Sequence, residues 1–161
     1  MITTTDELFL NCFQLIADQI LPGNISVEKR ENEFRKEKEL VFSSNKEYII
    51  MRYRIPRNEP ETVSPSISAS EGLKGNEDIV YKMLKAFVNF ARKSPFTKIK
   101  TRVGHDYRYS FVPKGTDPIL DLEDQCLLKV YKQLGFHVEY HYYQKLNGDI
   151  VLGYNVEKSV L

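Results

Sequence analysis

Tryptophan is absent, cysteine occurs only twice, and in 161 residues no apolar run approaches the roughly 18 positions that a membrane-spanning helix requires. With only Cys12 and Cys126 there is no disulfide framework, and each thiol falls in a helical pattern where it reads as a small buried hydrophobe. An excess of one charge sign is missing too. Lysine and arginine number 23 against 22 acids, a net of +1, which gives no global attraction to nucleic acid or to an anionic membrane. The opening Met1-Ile2-Thr3-Thr4-Thr5-Asp6-Glu7 carries no basic n-region, so the expectation is a cytoplasmic protein.

What is present is the makings of an ordinary core. Hydrophobic residues make up 42% of the chain and charged residues 28%, and nine Phe and ten Tyr supply bulk. The length suits a single domain over residues 1–161, burying about two-thirds of its unfolded surface without a metal or disulfide.

Thr4 or Thr5 caps a first helix in which Leu8, Cys12, Leu15, Ile16 and Ile20 recur at helical spacing; Pro22-Gly23 ends it. Residues 25–43 hold the densest charge and read as an irregular piece running into a strand. Tyr48 to Ile55 alternates as a strand, with Ile49, Met51, Tyr53 and Ile55 on one face and Arg52 and Arg54 on the other. Residues 57–76, rich in Pro, Ser, Glu and Gly, read as a mobile loop, inside which 63–69 alternates as a short strand of small residues.

Asn76 caps the clearest helix, which reaches Ser94 with Val80, Met83, Leu84, Phe87, Val88 and Ala91 on one stripe. Thr97 to Val103 alternates, and Tyr107 to Phe111 continues extended. Asp121 caps a helix that Gly135 ends, and two strands then flank Asn147-Gly148, a strong hairpin signal. This order implies an α+β fold, a mixed sheet with helices packed against it.

The stretch from Asp78 to Lys93, followed by Phe96 to Val103, resembles the long helix and following strand of the GNAT superfamily of acyl-CoA N-acyltransferases. Asp124-Gln125-Cys126-Leu127-Leu128-Lys129-Val130-Tyr131-Lys132-Gln133-Leu134-Gly135-Phe136 is similar to that family's N-x-x-A-x-x-x-Y-x-x-x-G-F segment, and the C-terminal hairpin stands where the family has its last two strands. The resemblance covers about residues 76–156. It implies a mostly antiparallel mixed sheet flanked by helices, and transfer of an acetyl group from acetyl-CoA to a small-molecule or protein amine.

The resemblance further implies that acyl-CoA lies along the strand before the Asn76 helix, at Ile67 and Ala69, with its pyrophosphate at the helix N-terminus. Gly72, Lys74, Gly75 and Asn76 would form that loop, and Asp124 stands at the family's asparagine position. The physics suits an anion, because a helix N-terminus offers unpaired N–H groups and a positive dipole end. Gly72 departs from the family's basic or amide residue, and Glu77 from its last glycine. Tyr131 takes the position of the tyrosine that protonates the departing thiolate, a general-acid task suited to a phenol; it also falls on the apolar stripe of its helix, where packing explains it equally. Glu61 and Glu139 are the candidates for a base.

A second function class stays open: a non-catalytic module binding nucleic acid or a protein through residues 92–114. Lys98, Lys100 and Arg102 share one strand face there, Arg108 follows, and Phe96, Tyr107, Tyr109 and Phe111 are interleaved. His137, Glu139 and His141 also share a face, but three ligands on one straight strand span about 13 Å, too far for one ion, so no metal is expected.

Overall fold

The computed structural model describes residues 4–73, 76–103, 126–144 and 150–161. The chain forms two compact units, Met1–Ile99 with Ser159–Leu161, and Lys100–Lys158.

The first unit opens with α1 (Thr5–Ile20), capped by Thr4, whose Oγ1 accepts the Glu7 N–H at 3.1 Å. Asp6 and Glu7 in its first turn complement the helix dipole. An antiparallel meander follows: β1 (Ser26–Asn32), β2 (Glu37–Ser44), β3 (Glu47–Arg54) and β4 (Thr62–Ala69), each paired with the next. The charged stretch at 25–43 is therefore a strand pair rather than an irregular piece. Its turn uses no Gly or Pro: Asn32 Oδ1 accepts the Arg35 N–H at 3.2 Å, and Lys36 takes a left-handed φ of 51°. All seven β1 residues are exposed, so the strand shows no apolar alternation in the sequence.

β4 leads into α2 (Glu77–Lys93), and β5 (Lys98–Val103) then runs parallel to β4. One face of the meander carries Ile49, Met51 and Tyr53 toward both helices. Phe9 of α1 lies edge-on to Tyr53, centroids 4.7 Å apart, and 5.1 Å from Phe90 of α2; Phe90 is 5.4 Å from Tyr53. With Phe13 and Phe87, both buried, these rings are the centre of the core.

The second unit contains the end of β5, α3 (Cys126–Gln133), β6 (His137–Gln144) and β7 (Ile150–Ser159), with strands adjacent in the order β5-β7-β6. β6 and β7 pair antiparallel from His137↔Glu157 to Gln144↔Ile150, the expected hairpin. α3 ends in a left-handed glycine: the Phe136 N–H donates to Tyr131 C=O and the Gly135 N–H to Lys132 C=O, both at 3.0 Å, with Gly135 at φ 83°. Leu128, Val130, Tyr131, Tyr154 and Val156 are buried. The expected strand at 107–111, the Asp121 cap and the Asn147-Gly148 turn lie outside the described residues. The fold class is α+β, a mixed and mostly antiparallel sheet flanked by helices. No described helix is long and apolar enough to cross a membrane.

Candidate functional site

β4 is paired very differently on its two edges. Its register with β3 runs from Arg54↔Ser64 to Ile49↔Ala69. Its register with β5 stops after Thr62↔Lys98 and Val63↔Ile99, although β4 continues to Ala69. Ser70 N–H donates to Tyr48 C=O at 3.0 Å, which marks Tyr48 and Ser70 as a hydrogen-bonded pair. Antiparallel alternation then makes Ile50–Ser68, Arg52–Ser66 and Arg54–Ser64 the bonded pairs. The N–H and C=O groups of Ile67 and Ala69 therefore point away from β3. So would the N–H at residue 65, and that residue is proline, which has none.

Beyond β4, the loop turns on Glu47 and Ser70. The Ser70 hydroxyl donates to the Glu47 carboxylate, and its oxygen accepts the Tyr48 N–H at 3.2 Å. Gly72 packs against that carboxylate: a Cβ there would stand 2.9 Å from Glu47 Oε1. Gly72 thus fits a close approach of the chain to itself. Glu47 and Ser70 were not singled out in the sequence.

Asn76 caps α2, its Oδ1 accepting the N–H groups of Asp78 at 3.0 Å and Ile79 at 3.3 Å, while its own N–H donates to Leu73 C=O at 3.4 Å. Two of the first-turn donors that favour an anion, the Asp78 and Ile79 N–H groups, are thus occupied by the Asn76 side chain, and Glu77 and Asp78 add negative charge beside them. An anion binding there has to displace the Asn76 carboxamide. Lys74, Gly75 and Asp124 lie outside the described residues.

Tyr131, in the second unit, is 2% exposed and meets Phe136 edge-on with centroids 4.9 Å apart. Burial pushes its phenol well above the ordinary tyrosine range, so it stays protonated at neutral pH. Tyr154, buried nearby, is raised by the same cause. Glu61 is exposed just before β4, and its carbonyl accepts the Thr97 N–H at 2.9 Å. It stands about 20 Å along β4 from Ile67, so the structure does not bring these two together. Glu139 is exposed and lies 3.3 Å from His137 Nε2.

The basic strand faces are engaged with other groups. Arg52 Nε lies 2.7 Å from Glu39 and 3.6 Å from Glu37, Arg102 Nε donates to Asn155 Oδ1 at 3.4 Å, and Lys98 and Lys100 also have partners. Arg108 lies outside the described residues. Among the described residues no cluster of three or more His, Cys, Asp or Glu is placed to hold a metal.

No protein-family profile matches the sequence, and no curated protein matches it. Solved structures do. An acetyltransferase of the GNAT family from Streptococcus pneumoniae superposes with a TM-score of 0.50 at 11% identity, over 78% of this chain and 68% of that one. An IAA acetyltransferase from Bacillus cereus gives 0.52 at 12% identity over 84% and 99%, and an acetyltransferase from Salmonella typhimurium with its cofactor acetyl-CoA gives 0.51 at 12% over 97% and 72%. At such identities the likeness speaks for architecture, and it agrees with the strand order and with the helix between β4 and β5. The chain has a diverged GNAT-like fold.

Proposed function

We propose that this protein is an N-acyltransferase that takes an acetyl group from acetyl-CoA and hands it to an amine. The observation that carries the reading is the β4 edge, where the register with β5 ends after Val63 and the backbone of Ile67 and Ala69 points away from β3. Strand backbone in this state accepts an extended, amide-bearing chain as it would accept another strand. The pantetheine arm of acyl-CoA is such a chain, so the β4 residues fit the group. The α2 end fits it less well, because Asn76, Glu77 and Asp78 compete with a pyrophosphate.

Acyl-CoA, when bound, supplies a thioester carbon to which the amine nitrogen bonds as the C–S bond breaks, one proton leaving nitrogen and one reaching sulfur. The family resemblance implies Tyr131 as the proton donor to sulfur, and burial keeps its phenol neutral. Removal of the amine proton is assigned to water, since Glu61 stands at the far end of β4. Structural neighbours that include a ribosomal L7/L12 protein acetyltransferase and a spermidine acetyltransferase chimera span protein and polyamine acceptors, which supports an amine without narrowing it.

The test is calorimetric titration with acetyl-CoA of the wild type and of Ile67→Pro. The substitution removes one outward N–H and leaves the bonds to β3 in place, so affinity should fall about tenfold, worth about 1.4 kcal/mol, while the melting transition persists. No acetyl-CoA binding by the wild type, or equal binding by a folded Ile67→Pro, overturns the reading.

A further inference from the structure

On the solvent side of the two helices of the first unit, α1 and α2 enclose an open groove of about 440 Å³. Its length follows from the α2 positions that line it: Asp78, Lys82, Lys85, Asn89 and Lys93 form a single stripe at steps of three and four residues, about 22 Å end to end. The facing α1 positions, Cys12, Leu15, Ile16 and Gln19, repeat at the same spacing. Leu15 is 65% exposed, uncommon for a leucine in a helix whose other face is packed, and Ala86 is buried at the base.

The two walls differ in chemistry. The α1 wall is largely apolar. The α2 wall carries three ammonium groups, and among the described residues none of Lys82, Lys85 and Lys93 forms an ion pair. Lys85 Nζ instead sits 5.7 Å above the Tyr81 ring, and among the described residues Asp78 at one end is the only acid in the lining. Burial holds the Cys12 thiol above its ordinary pKa and the Lys93 charge opposes that shift, so cysteine adds no negative charge here. An apolar wall beside unpaired cations excludes a cationic or fully hydrated ligand and suits a molecule with an apolar body and an anionic head. The volume lies within the roughly 300–1,000 Å³ of small-molecule sites.

We propose that the α1–α2 groove is a binding site for a small amphiphilic anion, its apolar part against Leu15, Ile16 and Ala86 and its acid group between Lys82 and Lys85. The site is independent of the acyl-transfer reading, since it uses neither the β4 edge nor Tyr131. The experiment uses dodecanoate as probe, titrated below its micelle concentration into the full chain, with dodecyltrimethylammonium as a probe of equal tail and opposite charge. The expected result is saturable one-to-one binding of dodecanoate, weakened about tenfold in Lys82→Glu/Lys85→Glu, with the cation bound at least about tenfold more weakly. Both substitutions are on exposed side chains, and circular dichroism of the variant checks that it folds. Leu15→Glu gives a second reading through the tail contact and should weaken dodecanoate likewise. Non-saturable uptake, equal affinity for the two head groups, or an unchanged affinity in folded variants each overturns the proposal.

Discussion

One face of β3 puts Ile49, Met51 and Tyr53 under the rings of Phe9, Phe87 and Phe90, while the other puts Arg52 among carboxylates. On that second face Arg30, Glu39, Arg52 and Ser66 stand in register across four strands, with Glu39 only 8% exposed between the two guanidinium groups. The apolar face gains stability roughly in proportion to the area it hides. The polar face gains little from its ion pairs, but removing a partner there is costly, because a carboxylate already out of water loses its compensation. The β4 edge belongs to neither face: beyond Val63 its backbone groups at Ile67 and Ala69 turn away from β3 past the end of the β5 register.

The largest expected break in this contrast is Phe90→Ala. It opens a cavity against Phe9, Tyr53 and Phe87 and should cost about 3–5 kcal/mol in urea unfolding. On the polar face Arg52→Met should cost about 1–3 kcal/mol, since Glu39 is left with Arg30 alone. A double change with Glu39→Leu should recover most of that loss, and a cycle of the single and double variants measures it. Asn76→Ala is smaller, about 0.5–2 kcal/mol from the lost cap, and should not weaken acetyl-CoA binding if the carboxamide and the pyrophosphate compete for the same N–H groups. Calorimetry on the folded variant checks the second half.

The smallest effect is one of pH. Burial, the leading cause, pushes the Tyr53 phenol up to about 12 from the ordinary tyrosine value of 10.0, with Asp6 adding to the shift. The folded state therefore holds its proton where the unfolded chain has lost it. The contribution is complete below the unfolded value and is lost as pH rises toward the folded one. Stability should fall across pH 10–12, and Tyr53→Phe should flatten that part of the decline without changing stability near neutral pH.

Where burial imposes a period, the sequence showed the fold. The Asn76 helix, the Tyr48–Ile55 strand and the short 63–69 strand all appear within a residue or two of their expected limits, because each has one face against the core. β1 was hidden for the opposite reason, as an all-exposed strand has no apolar alternation to read. The candidate site was legible only as order along the chain. That Ile67 and Ala69 direct backbone outward depends on a hydrogen-bond phase fixed by Ser70 and Tyr48, and phase has no signature in side-chain types. The role of Gly72 was equally invisible, since it depends on Glu47, distant in sequence and brought close by the β3–β4 pairing. Arg52 and Arg54 alternated as expected, but the acids beside Arg52 come from the neighbouring strand, whose pairing with β3 the residue pattern did not reveal.

The outer edge of β1 gives the fold a protection against self-association. It ends the strand order with a row of backbone groups that no described strand covers, the template on which sheets grow from molecule to molecule. Glu28, Lys29, Arg30 and Glu31 put two charges of each sign along it, and the Arg30–Glu28 and Lys38–Glu31 pairs keep those charges at the rim. A second molecule approaching edge to edge would have to strip water from all of them at once. Halving the charges in that row with Lys29→Val and Glu31→Val should leave the folded unit intact and make it prone to fibre formation at high concentration.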